Sequence, residues 1–216
     1  MGLNKFLPEN VKSYIKKRLK CPQYQYQNVF TKSKIDNFHI GHFANLHDKF
    51  AKKDIHLAGD LEATRLRNYN NLKYCEFAIK NNQQGSLLSV GISYGTTAKI
   101  LMNSLDEIAN NKEYFLVDTF SGLGEKNYNY NTDAENVKVD LNNIKNFKPI
   151  FLIEQFSNST LNKIKNNLIF THLNCGDVQE RLCLKEIIKK TKKNGVIIID
   201  YYGWKNINEK RLFDEI

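Results

Sequence analysis

No run of apolar residues in this 216-residue chain approaches the ~18 that a membrane-spanning helix needs. The first twenty residues, MGLNKFLPENVKSYIKKRLK, hold no apolar core of signal-peptide length. Together these absences predict a cytoplasmic protein with no membrane span. Only four cysteines occur, Cys21, Cys75, Cys175 and Cys183, and no two of them form C-x-x-C. Reduced structural thiols are therefore expected rather than a metal knuckle. No RRM, KH or zinc-finger pattern is present, so nucleic acid is not an expected partner. The dinucleotide fingerprint G-x-G-x-x-G is missing too, which disfavours a nicotinamide-binding Rossmann protein. No internal repeat is visible.

What is present reads as one globular α/β domain with an added segment, at 41% hydrophobic and 25% charged residues. The net charge of +9 is unevenly placed. Residues 1–56 hold 11 Lys and Arg against 4 Asp and Glu, whereas residues 57–216 hold 21 against 19. Residues 1–56 are thus expected to form a basic helical N-terminal appendage or lid. Its charge suits a phosphate-bearing ligand, an anionic lipid surface or plain solvation. Four histidines, His39, His42, His47 and His56, fall within it at a spacing that matches no metal motif. One of them facing the active site as a base stays open.

The most informative stretch is GSLLSVGISYGTTAKIL, residues 85–101. Its apolar run Leu87-Leu88-Ser89-Val90 suits a buried strand, Gly91 and Gly95 break it, and helical spacing follows from Ala98. Thr96-Thr97 is the expected cap of that helix. Strand, glycine turn and helix let a backbone lie close to a nucleotide-like ligand. A second strand, Tyr114 to Val117, ends at Asp118, placed to accept bonds from ribose hydroxyls. Asp118 lies 27 residues after Gly91, beyond the nicotinamide spacing of about 20.

Further strands are expected at 149–153, 168–173 and 196–199, and helices at 60–80, 136–144 and 178–193. Lysines in its last turn and Asn194-Gly195 mark the end of the last helix. Apolar strands alternating with helices predict a mostly parallel sheet covered on both faces. Ligands of such sheets bind at the carboxyl ends of the strands. Here those ends carry Gly91–Gly95, Asp118, Gln155–Thr160, Asn174–Asp177 and Asp200–Trp204, where polar and acidic groups converge.

At these positions GSLLSVGISYGTT, FLVDTFSGLGE, LIFTHLNCGDV and KKNGVIIIDYYGW resemble the signature segments of the macrocin-type (TylF/MycF-like) O-methyltransferases. Those are class I S-adenosylmethionine-dependent enzymes that methylate sugar hydroxyls. The resemblance covers roughly residues 60–213. It implies a Rossmann-like methyltransferase domain over residues 57–216, with the final antiparallel strand pair of the class possibly lacking. By the resemblance, Ser89, Gly91, Ser93, Gly95, Asp118, Thr119, Phe120 and Asn174 line the cofactor, with Gly91 and Gly95 toward its methionine and ribose. Asp177 and Asp200 fall where the family holds a metal, which keeps Mg²⁺ open. The chain departs from the family at Ser89, where a Glu is usual, at Asn174 for a metal Asp, and at Tyr201 for the second Asp of a pair.

The chemistry so implied is in-line attack of an acceptor oxygen on the sulfonium methyl. The protein must orient the pair and accept a proton. Asp200 is the first candidate base and His172 the second. Tyr201, Tyr202 and Trp204 offer rings for stacking on the acceptor, a small molecule or glycan precursor that the basic segment suggests is phosphate-bearing. A methyltransferase-like protein that binds cofactor or glycan without catalysis is the alternative, and the appendage is a candidate homodimer contact.

Overall fold

The structure, a computed structural model, describes residues 41–51, 61–120, 134–141, 144–174 and 178–200. Five strands form one parallel sheet: β1 Ser86–Val90, β2 Lys112–Asp118, β3 Phe147–Ile153, β4 Leu168–Leu173 and β5 Thr191–Ile199. Their order is β3-β2-β1-β4-β5. β1 and β4, at the centre, are buried at every position. A sheet of this kind needs both faces covered, because its strands carry apolar residues in both directions.

The strands feed two separate cores. Leu87, Tyr114, Leu116 and Phe170 pack with helices α1 His42–Ala51, α2 Leu61–Asn81, α3 Thr96–Ala109 and α4 Ala134–Leu141. Leu88, Val90, Phe115 and Val117 pack on the other face with α5 Asn158–Lys163 and α6 Val178–Lys190. Phe43, Leu46 and Phe50 of α1 belong to the first core. The expected boundary at residues 56 and 57 lies outside the described residues. Cys75 and Cys183 are buried free thiols, as expected of structural cysteines; Cys21 and Cys175 lie outside the described residues. Among the described residues no helix is long and apolar enough to cross a membrane.

Two local expectations are corrected. Helix α3 is not capped by its threonines. Gly95, at φ 74, occupies the N-cap and offers no side chain. Thr96 Oγ1 donates instead to Phe50 O at 3.1 Å, and Thr97 Oγ1 to Asn68 Oδ1 at 2.7 Å. The threonines thus serve to tie α3 to α1 and α2. The second correction concerns α6, which ends at Lys190 rather than 193. Thr191 already pairs with Leu168, and its Oγ1 closes the last helical turn on Ile187 O at 2.7 Å. Residues 192–195 then bulge out, with Asn194 at φ 64, before Val196 resumes pairing at Phe170. Asn194-Gly195 therefore marks a bulge, not a helix cap.

Gly85 enters β1 at φ +134, and a Cβ there would run into Ile169 Cγ2 and lie 3.0 Å from Asn167 O. Gly85→Ala is expected to lower stability by on the order of 1–3 kcal/mol. The check is the midpoint of urea unfolding at constant m-value; an unchanged midpoint would contradict this packing.

Candidate active site

The strand order changes direction between β1 and β4, which makes the carboxyl ends of those two strands the topological switch point of the sheet. The ladder runs past the strands there. Gly91 N donates to Val117 O at 2.9 Å, Asn174 N to Val90 O at 3.0 Å, and Asp200 N to Leu173 O at 3.0 Å. Asn174 also bridges the switch point with its side chain, Nδ2 donating to Gly91 O at 3.1 Å. Its Oδ1 is buried and has no hydrogen-bond partner.

Asp118 holds the loops around this crevice. Its Oδ2 accepts from Ser93 N and its Oδ1 from Phe120 N, both at 2.8 Å. Ser93 and Phe120 both have left-handed backbones, at φ 49 and φ 53. Such conformations are costly for residues with a side chain, and the carboxylate offsets that cost by fixing both amides. Each oxygen keeps a second lone-pair direction. Gly95 is closed from the side by α4: a Cβ there would meet Val137 Cγ1 at 2.6 Å. Lys99 Nζ pairs with Asp140 at 2.7 Å and pins the same two helices.

Beside the crevice lies a buried charged cluster. His172 Nε2 stands 2.9 Å from Asp200 Oδ2, and both side chains are 3% exposed. Arg67 Nη1 of α2 approaches the same oxygen at 3.5 Å. Asn71 of α2 places its amide 3.3 Å from His172 Nε2. Burial alone would raise the Asp200 carboxyl, yet the attraction and hydrogen bond of His172, with the charge of Arg67, hold it below its usual value.

The residues expected to bind cofactor are thus placed as two groups. Gly91, Ser93, Asp118, Phe120 and Asn174 come together through the contacts above, with Gly95 and the exposed Thr119 in sequence beside them. Ser89 stands apart: it is buried in β1, and its hydroxyl is taken up by Tyr114 OH at 2.7 Å. Asp200 and His172 form a pair rather than two separate candidates. Asp177, Tyr201, Tyr202, Trp204, His39 and His56 lie outside the described residues. His42 is exposed on α1, and His47 is buried with Nδ1 3.5 Å from Asp48.

Sequence reasoning missed Arg67, Asn68 and Asn71. The buried stripe of α2 runs Thr64, Asn68, Asn71, Cys75 and Ala78 at helical spacing, with buried Asn82 just past its end. Polar residues fill the half over the strand ends, and apolar ones come next toward the strand starts. The signal was that stripe, visible once Asn68 and Asn71 are counted in phase with Cys75 and Ala78. A second groove, lined by Tyr74, Phe77, Val196 and Ile197, lies along the outer side of β5; its lining includes none of the groups at the switch point.

No protein-family model matches the chain, and no curated protein matches it. Among solved structures, that of the O-methyltransferase NovP is similar, with a TM-score of 0.56 at 20% sequence identity over 69% of each chain. The chain has a Rossmann-like methyltransferase fold. That likeness agrees with the parallel sheet and flanking helices the sequence predicted, and at this identity it speaks for the fold alone.

The described residues do not fit a metal ion. Asp200 already faces an imidazole and a guanidinium, and the latter would repel a divalent cation. No group of three or more His, Cys, Asp or Glu suited to a metal occurs among the described residues.

The Asp200 cluster fixes a pH dependence. A carboxyl whose folded value lies below the usual 3.8 adds stability that is complete above 3.8 and is lost as pH falls through the folded value. Asp200→Asn should therefore cost on the order of 3 kcal/mol at pH 7, by removing the carboxylate charge that faces His172 and Arg67. The gap to wild type should narrow below pH 3.8. Denaturant unfolding of both proteins at pH 7 and pH 3 checks this; an undiminished gap at pH 3 would contradict it.

Proposed function

We propose that this protein is an S-adenosylmethionine-dependent O-methyltransferase acting on a hydroxyl of a sugar or glycan precursor, as its resemblance to the macrocin-type enzymes implies. The observation that carries the reading is the crevice at the β1–β4 switch point. The glycine turn and Asp118 rim it on one side, and the His172–Asp200 pair closes the other.

The cofactor fits these residues. Asp118 is anchored by two amides and retains lone pairs for the ribose hydroxyls. Asn174 Oδ1 is a buried acceptor without a partner. The bound cofactor supplies an electrophilic methyl group. This chain's residues must hold the acceptor oxygen in line with it, exclude water and take the hydroxyl proton.

Asp200 was the first candidate for that proton, but its lowered proton affinity makes it a weak base at neutral pH. We take His172 as the acceptor instead, because the Asp200 carboxylate lies 2.9 Å from its Nε2 and stabilises the cation that would form. Arg67 balances the carboxylate's charge in the resting pair. No step is assigned to a metal. The basic segment of residues 1–56 favours an acceptor bearing phosphate.

A second reading is binding of cofactor or glycan without transfer. The burial of His172 and Asp200, and Ser89 at the position of the family's Glu, favour it.

Calorimetric titration with S-adenosylmethionine and S-adenosylhomocysteine should give micromolar binding that Asp118→Ala abolishes. No binding to the wild type would end the methyltransferase reading. Methyl transfer to sugar acceptors should then fall by about 10²–10⁴-fold in His172→Gln with cofactor affinity retained. Binding with no transfer to any acceptor would favour the second reading.

A further inference from the structure

His172 Nε2 is met from two sides. Asp200 Oδ2 stands 2.9 Å from it, and the side-chain amide of Asn71 stands 3.3 Å from it. In a neutral imidazole each nitrogen carries either a hydrogen or a lone pair, never both. Burial would raise the Asp200 carboxyl, but His172 and Arg67 hold it below its usual value, so it is ionised at neutral pH. A carboxylate only accepts. The 2.9 Å contact therefore puts the hydrogen on Nε2.

That hydrogen decides how the surroundings are arranged. The oxygen and nitrogen of an asparagine amide are interchangeable in position. An N–H at Nε2 calls for the Asn71 oxygen, because its NH₂ would set hydrogen against hydrogen. Asn71 thus adds a second acceptor from the helix side. The neighbouring strands bring no rival. Ser89 of β1 and Ile198 of β5 stand in register with His172. The Ser89 hydroxyl is committed to Tyr114 OH at 2.7 Å, and Ile198 is apolar. Among the described residues no hydrogen bond involves His172 Nδ1. In the neutral ring that nitrogen keeps its lone pair.

We propose that Nδ1 is the atom of His172 that takes the acceptor's proton, and that Asp200 and Asn71 are positioning residues that keep the hydrogen on Nε2. The inference rests on the proposed function and assigns the atom that reading leaves open. In that reaction the proton of the acceptor hydroxyl passes to Nδ1, and the oxygen's electron pair forms the bond to the methyl carbon. The electron pair of the broken C–S bond stays on sulfur. The ring then carries both hydrogens, and its positive charge faces the Asp200 carboxylate through Nε2.

The test is nitrogen NMR of the full chain made with isotope-labelled histidine, which reports which ring nitrogen carries hydrogen. His172→Gln assigns the signal. In the neutral wild-type ring Nε2 should carry the hydrogen and Nδ1 none. Asp200→Asn lets either end of an amide face Nε2, so a form with the hydrogen on Nδ1 should appear. Its kcat for methyl transfer should fall by about 10²–10⁴-fold with KM little changed. Asn71→Leu removes one acceptor. It should move the balance toward the Nδ1–H form by less than Asp200→Asn does, and lower kcat by about tenfold. An unchanged balance and kcat in Asn71→Leu overturns the part given to Asn71. A neutral wild-type ring with its hydrogen on Nδ1 overturns the whole assignment. So does a ring protonated on both nitrogens at the pH of full activity, since Nδ1 then has no lone pair to offer. The wild-type spectrum decides this even if Asp200→Asn does not fold. Neither result touches the cofactor titration above, which tests the function itself. No cofactor binding there would end the function and the role of Nδ1 together, whatever the tautomer.

Discussion

A parallel sheet buried on both faces leaves polar groups one place to gather, the ends of its strands, and the rest of this structure follows from that restriction. β1 and β4 are buried at every residue and share their ladders with neighbours on both sides. Polar side chains within the layer must be paired, as Ser89 and Tyr114 are with each other. Burial, with the neighbouring Cys75, pushes the Tyr114 phenol far above its ordinary range, and the Ser89 hydrogen bond opposes that rise. At the carboxyl ends the demand relaxes. There the chain places Asp118, Asn174, His172 and Asp200, and α2 lays its polar half over them.

The strands were legible because they are uninterrupted apolar runs. β4 is Leu168–Leu173 as the sequence indicates, and the apolar part of β5 pairs from Val196 as expected. The alternation of those runs with helices was enough to predict the parallel sheet. The convergence at strand ends was legible for the same reason, since the polar residues follow directly on the runs. What was not legible depends on distant partners. The Thr96 and Thr97 hydroxyls are drawn off by Phe50 and Asn68, residues 46 and 29 positions away, so local capping preference lost to tertiary contacts. The bulge at 192–195 exists because Thr191 is held by Leu168, which no local signal announces.

Helix α2 is the instructive case. Of the apolar positions the sequence suggests, Leu72, Cys75, Ala78 and Ile79 are buried and Phe77 is exposed, while the buried face continues through Asn68 and Asn71. Buried asparagines are uncommon and each must find partners or a ligand. A helix that lies along a parallel sheet reaches from the strand starts to the strand ends, so its composition must change along its length. Asn82 near one end bonds Asn194 O by the β5 bulge. Arg67 near the other end meets Asp200.

The same geometry governs the charge of Asp200. Asp200 is buried and lies beside two groups that favour its charged form, so proton capture there is opposed. Asn71 meets the imidazole of His172 from the helix side. Ser89, by contrast, is committed to Tyr114 on the neighbouring strand.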